Sequence, residues 1–146
     1  CYLGCTQFLK DVQIMSNPPI DSQITFIYTQ DLITSADFYE RIMGLTLWLD
    51  QTTCRIYRLT DSAFLGVCQI SESSKGNFIS PPSNLIITIV TQQVDEWYQT
   101  LSARGVIFDA PPSYNPQYRI YHCFLKDPNG YLIEIQRFEH DLPTAP

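Results

Sequence analysis

Asp127-Pro128-Asn129-Gly130, running straight into Tyr131-Leu132-Ile133-Glu134-Ile135, is the stretch on which the reading of this chain turns. Proline at the second position of a turn fixes φ, asparagine tolerates the third and glycine accepts a positive φ, so the tetrad predicts a tight hairpin. The runs on either side, 118–125 and 131–138, are rich in the β-branched and aromatic residues that strands favour. Upstream, Val94, Trp97, Tyr98 and Leu101 recur at helical spacing over 94–104, and Gly105 offers a left-handed stop. A strand is expected before that helix at 84–90 and a short one after it at 106–108, with Pro111-Pro112 and Asn115-Pro116 breaking the chain before 118.

The first half has the same order. Gln23–Thr29 reads as a strand suited to having both faces covered, and a helix is expected over 35–43, capped by Thr34 or Ser35 and stopped by Gly44. Strands at 45–49, 54–59 and 63–70 follow. The polar stretch 71–83, with Pro81-Pro82, reads as a linker. The organisation predicted is therefore a duplicated βαβββ unit, module one at 23–70 and module two at 84–138. Residues 1–22 read as an irregular or partly helical extension, and 139–146 as a polar tail.

Composition bounds the function. With 146 residues and 45% hydrophobic content the chain fills one core without metals or disulfides. Nine basic against 15 acidic residues leave a net charge of −6, which repels phosphate backbones and anionic lipid, so neither nucleic acid nor membrane is an expected partner. No apolar run is long enough to cross a bilayer, and no basic, apolar, small-residue leader pattern is present. Five cysteines, scattered and without a C-x-x-C pair, suggest free thiols in a reducing, cytoplasmic compartment, with Cys54, Cys68 and Cys123 acting as small buried hydrophobes. That no methionine precedes Cys1 is expected to reflect a shortened chain and not a lipid-modified N-terminus.

Asp31-Leu32, Phe38-Tyr39 and Gly44-Leu45 in the first half, with Asp95-Glu96-Trp97-Tyr98, Ala103-Arg104-Gly105-Val106 and the closing stretch at 127–135 in the second, resemble the vicinal oxygen chelate superfamily of glyoxalases, bleomycin resistance proteins and extradiol dioxygenases. The resemblance covers 22–138, and the closing motif is its specific part. It implies an α+β, glyoxalase-like fold in which two tandem modules curl into a cup-shaped incomplete barrel around a small molecule. It implies also a homodimer.

Metal-dependent members of that family use one side chain from the first and one from the last strand of each module. Here those positions hold Ile24, a run (Phe64, Leu65, Gly66, Val67, Cys68) without a carboxylate and with Gln69 as its only hard donor, then Asn84, Leu85 and Ile86, none a strong ligand, and Glu134. No metal and no other cofactor is expected. Glu134 shares a strand face with Leu132 and Gln136, and it reads either as a relic paired with a nearby arginine or tyrosine or as a desolvated acid/base. His122 is the best general-base candidate because its pKa lies nearest neutrality. Arg55 and Arg58 sit on opposite faces of one strand, so one of them faces the cup to grip an anion; Arg58 is carried as the candidate with the choice open. Phe26, Tyr28, Trp48, Tyr118 and Tyr121 are candidate aromatic walls.

Three functions follow from these residues. The first is a metal-independent small-molecule binding protein acting by sequestration. The second is a lyase, isomerase or dioxygenase-related enzyme using Glu134, with His122, as acid/base or in an atypical metal site. The third is a structural module whose cup has closed. Openness of the cup, and whether Glu134 faces it, separates them.

Overall fold

Two runs of β-branched and aromatic residues, each interrupted by a helix, build two similar sheets in the computed structural model, which describes residues 17–77, 81 and 84–144. The first unit comprises β1 (Gln23–Thr29), α1 (Leu32–Asp37, continued by wider π-type turns over Phe38–Ile42), β2 (Thr46–Asp50), β3 (Cys54–Arg58) and β4 (Ala63–Gln69). The second comprises β5 (Ile86–Val90), α2 (Val94–Ala103), β6 (Ser113–Asn115), β7 (Ile120–Lys126) and β8 (Leu132–Phe138). Each sheet has four strands, ordered β1-β4-β3-β2 and β5-β8-β7-β6. In both, the first strand lies parallel to the last, and the remaining neighbours are antiparallel. This is an α+β fold of two βαβββ units whose sheets stay open, with no strand of one pairing to a strand of the other.

One continuous core holds the units together. Ile27, Tyr39, Tyr57, Leu65 and Val67 of the first pack with Val94, Leu101, Leu125, Ile133 and Ile135 of the second, all nearly inaccessible to solvent. Burial of this kind is worth about 1.5–3 kcal/mol per large side chain. Polar groups join the same interface. The Asp127 carboxylate, buried in the β7–β8 turn, accepts the backbone N–H groups of Asn129 and Tyr131 and the Tyr39 hydroxyl, each at 2.8–2.9 Å. Asn129 closes a ring with Thr29 and Ser35: Thr29 donates to its Oδ1 (2.8 Å), its Nδ2 donates to Ser35 (3.0 Å), and Ser35 donates to Thr29 (2.8 Å). Gly130 stands at φ +95°, where an L side chain would be strained, as the turn requires.

Several sequence expectations change. The cap of α1 is Asp31, whose side chain accepts from the Thr34 N–H at 3.1 Å and from its hydroxyl at 2.7 Å; the expected cap Ser35 is instead buried in the ring just described. Residues 106–108 form no strand. The strand of that place is β6, lying between Pro112 and Pro116 as an edge, where a missing N–H costs no ladder bond. Thus the prolines bound the strand and do not exclude it. Strand β1 has one face uncovered, with Phe26 47% and Tyr28 53% exposed, because α1 packs on the opposite face only. The linker region carries 3-10 turns over Glu72–Asn77, while 78–80 and 82–83 lie outside the described residues. Of the N-terminal extension, 17–22 is exposed and irregular, and 1–16 lies outside the described residues.

The cysteine reading also needs correction: Cys54 and Cys68 face each other across β3 and β4 and are joined as a disulfide, while Cys123 stays free and buried. The Gln69 N–H donates to the Thr53 carbonyl next to this pair, so Cys54 and Cys68 occupy a non-hydrogen-bonded position, where opposed Cα atoms come closest. Free thiols were the ground for a reducing compartment, and these two no longer supply it. Among the described residues no helix is long and apolar enough to cross a membrane.

If the Asp127 cluster joins the units as described, Asp127→Ala should lose about 2–4 kcal/mol and Tyr39→Phe about 1–2 kcal/mol in urea denaturation, since each leaves buried partners unpaired. Burial, reinforced by the neighbouring Asp127 charge, holds the Tyr39 phenol well above its ordinary 10.0, and burial with Glu40 raises Tyr57 similarly. Only the unfolded chain ionises these phenols readily, so the stability they contribute should be fully present below pH about 10 and decline above it, on top of a decline from pH about 9 as the Cys123 thiol, also raised by burial, ionises in the unfolded chain. A flat profile to pH 11.5 would contradict that.

Candidate functional site

Strand pairing decides which side chains share a face. On the first sheet, Ile24, Phe64 and Arg58 form one row, Phe26, Gly66 and Ile56 the next, and Tyr28, Cys68 and Cys54 the third. All lie on the side away from α1. Phe64, Ile56 and Cys54 are buried there as a small second cluster, against which Ile24 and Cys68 pack. Phe26 lies across Gly66 so closely that any Cβ at that position would run into its ring. A register shift between Leu47 and Leu49 brings Trp48 onto Phe64, with ring centroids 4.6 Å apart. The Arg58 guanidinium stands over the same Phe64 ring at 5.9 Å.

This placement closes the choice between the two arginines. Arg55 turns to the helix side, where it meets Glu40 at 3.1 Å and Asp50 at 3.6 Å, while Arg58 stays on the aromatic face. Glu40 lies on the helix, fifteen residues away in sequence, so strand alternation alone could not assign the pair.

The second sheet presents a different surface on its corresponding side. Its rows are Ile86, Leu132 and Lys126; Thr88, Glu134 and Phe124; and Val90, Gln136 and His122. Glu134 is buried, at 7% exposure, and both carboxylate oxygens are engaged: Thr88 donates to Oε1 at 2.9 Å, and Oε2 lies 2.7 Å from His122 Nδ1. The partner of Glu134 is therefore a histidine, where an arginine or a tyrosine had been one expectation. His122 also stacks edge-on to Phe124 at 5.0 Å. Its Nε2 has no hydrogen bond among the described residues and is not enclosed. A carboxylate on Nδ1 fixes the ring and leaves Nε2 to exchange a proton.

Of the eight sequence candidates, Phe26, Tyr28, Trp48 and Arg58 gather on the first sheet, and Glu134 and His122 on the second. Tyr121 does not join them. It alternates with His122, faces α2 and donates to Asp95 at 2.7 Å, with Arg137 over its ring. Tyr118 sits in the β6–β7 turn and not on a strand, 61% exposed. Sequence reading missed Phe64, Gly66 and Thr88, which matter through neighbours on other strands. Cys123 is no nucleophile, because burial pushes its thiol up to about 11.

The residues do not fit a resident divalent metal. Among the described residues no three His, Cys, Asp or Glu side chains come together. Where the family places ligands, Ile24 is apolar, Gly66 and Cys68 face outward from β4 with the cysteine in a disulfide, and Glu134 is held by Thr88 and His122. Gln69, the other hard donor, is used in the loop, accepting from Leu32 N–H and donating to the Gln30 carbonyl. Clefts beside Asp31 and Pro128, between Met43 and Trp97, and beside Phe38 and Val106 lie elsewhere and are lined by none of these residues.

A model of the Glyoxalase/Bleomycin resistance protein/Dioxygenase superfamily matches residues 22–135. A glyoxalase/bleomycin resistance protein/dioxygenase from Nocardioides superposes with a TM-score of 0.71 at 19% identity, covering 98% of this chain and 99% of that one. Lactoylglutathione lyase from Agrobacterium tumefaciens gives 0.66 at 20% identity, covering 84% and 97%. A superfamily member from Sphaerobacter thermophilus DSM 20745 gives 0.65 at 21%, covering 80% and 95%. At such identities the likeness is one of fold. No curated protein matches the chain.

Coupling between Glu134 and His122 is measurable. A double-mutant cycle with Glu134→Gln and His122→Gln, read by urea denaturation, should give about 1–3 kcal/mol, as for a buried hydrogen bond to a charged group. Additive losses would mean that the two side chains do not act together.

Proposed function

The chain belongs to the glyoxalase/bleomycin resistance protein/dioxygenase superfamily, and from that premise we propose that it is a small-molecule binding protein working without a resident metal. The observation that carries this reading is the aromatic face of the first sheet. Phe26, Tyr28 and Trp48 are each about half exposed around a buried Phe64. Apolar rings held by packing yet open to water stand ready to cover a ligand, whereas a closed structural module would have buried them. Sequestration needs no more than this surface and a partner surface opposite it.

A second reading, a lyase or isomerase that moves a proton, is favoured by the Thr88–Glu134–His122 chain. There the carboxylate orients the imidazole, and Nε2 takes or returns the proton. We infer also a homodimer, in which a second copy covers what one copy leaves open; exposed Ile86 and Val90 on the edge strand β5 support it.

Native mass spectrometry of gently purified protein should reveal a trapped organic ligand, and elemental analysis should find well under one equivalent of Zn, Ni, Fe or Mn. Phe26→Ala and Trp48→Ala should each weaken binding of the neutral dye Nile red by about tenfold or more, the scale of a lost aromatic contact. Glu134→Gln separates the two readings. Unchanged affinity for the trapped ligand supports sequestration at the first sheet alone, while at least a tenfold loss of binding or turnover, measured where the variant is fully folded, supports Glu134 as part of the site. A full equivalent of metal, lost on Glu134→Ala, would overturn the metal-free reading.

Light scattering at micromolar concentration should give about twice the 16.8 kDa chain mass. A monomer there would refute the dimer.

A further inference from the structure

The aromatic face is not electrically neutral, and its charge narrows the ligand class. Resting on the reading of that face as a binding site, we propose that it takes planar aromatic anions, with the ring on Phe26 and Trp48 and the acidic group at Arg58.

Arg58 lies in the same row as Phe64, and Phe26 lies in the next row, two residues along. That step is about 7 Å along the strands, and Phe26 also lies two strands over, about 10 Å, so about 12 Å separates the two backbone positions, a gap that their long side chains narrow toward the length of an aromatic acid. The guanidinium carbon stands 5.9 Å from the Phe64 centroid, within cation–π reach, and this contact uses none of its N–H groups. Among the described residues Arg58 makes no hydrogen bond, and its one ion-pair contact is Asp61 at 3.9 Å, through a fully exposed carboxylate that solvent screens. Arg41, Arg55 and Arg137, in contrast, are each tied to a carboxylate at 3.1 Å or less. A planar fork with unspent donors at the rim of an aromatic wall recognises carboxylate or sulfonate oxygens in pairs. The net charge of −6 works against anions over the chain as a whole, so an anion preference requires a local cation such as Arg58.

The test compares three probes of one shape by isothermal titration calorimetry: 2-naphthoate, 2-naphthalenemethanol and 2-naphthylmethylammonium. The naphthoate should bind at least tenfold more tightly than the ammonium. In Arg58→Gln that preference should vanish while the alcohol binds as before, and Arg58→Lys should retain part of it. Thermal unfolding of each variant checks folding, and the probe comparison in the unaltered protein stands regardless. Equal binding of all three probes, or an anion preference that survives Arg58→Gln, overturns the anionic class and leaves the binding face intact. Failure of all three to bind overturns the binding reading itself.

Discussion

Everything in the molecule hangs on a carboxylate buried where a carboxylate is costly. Asp127 is 5% exposed, and its carboxyl oxygens are satisfied by two backbone N–H groups of its own turn, the Asn129 side-chain amide and the Tyr39 hydroxyl of the other unit. The turn is thereby stiffened and the two units are set against each other by one group. Tyr131, the next residue of the same stretch, reaches back to the backbone of Tyr28, receiving its N–H at 3.2 Å and donating to its carbonyl at 3.1 Å. A hairpin turn of the second unit thus holds the edge strand of the first, the strand that carries Phe26 and Tyr28.

The two units share a topology and divide their chemistry. In the first sheet the side away from the helix carries the exposed aromatics and Arg58; in the second it carries a Thr–Glu–His chain centred on the buried Glu134 and flanked by Phe124 and aliphatic residues. Duplication supplied the same scaffold twice, and the side chains at equivalent rows diverged. Glu134 remains where the family keeps its final ligand, but a hydroxyl and an imidazole now occupy its oxygens. What the carboxylate holds is a histidine, a partner that itself exchanges protons.

Much of the fold was legible because it rests on local rules. Gly44, Gly105 and Gly130 take the positive φ values their positions suggested, and the Asp-Pro-Asn-Gly turn joins the strands it was expected to join. Alternation put Glu134 on one face with Leu132 and Gln136, while the side it shares with His122 follows from the β7–β8 register. What failed depends on partners far along the chain. The disulfide needs the β3–β4 register, the choice of Arg58 over Arg55 needs Glu40 on the helix, and Gly66 has meaning only once β1 lays Phe26 across it. Tyr121 was misjudged on a rule already in hand, since neighbours on a strand cannot share a side.

Parallel pairing of β1 with β4 has a temporal side. The three strands β2, β3 and β4 join through short turns and can zip up locally, but Gln23 meets Ala63 only after the whole intervening chain is in place. Such distant pairings close late, because the entropy of the long loop is spent before any contact rewards it. Phe26 and Tyr28 ride on that last strand. The share of the aromatic wall that β1 carries is therefore placed after the share that Phe64 and Trp48 bring on β4 and β2, so a single long-range pairing completes the surface.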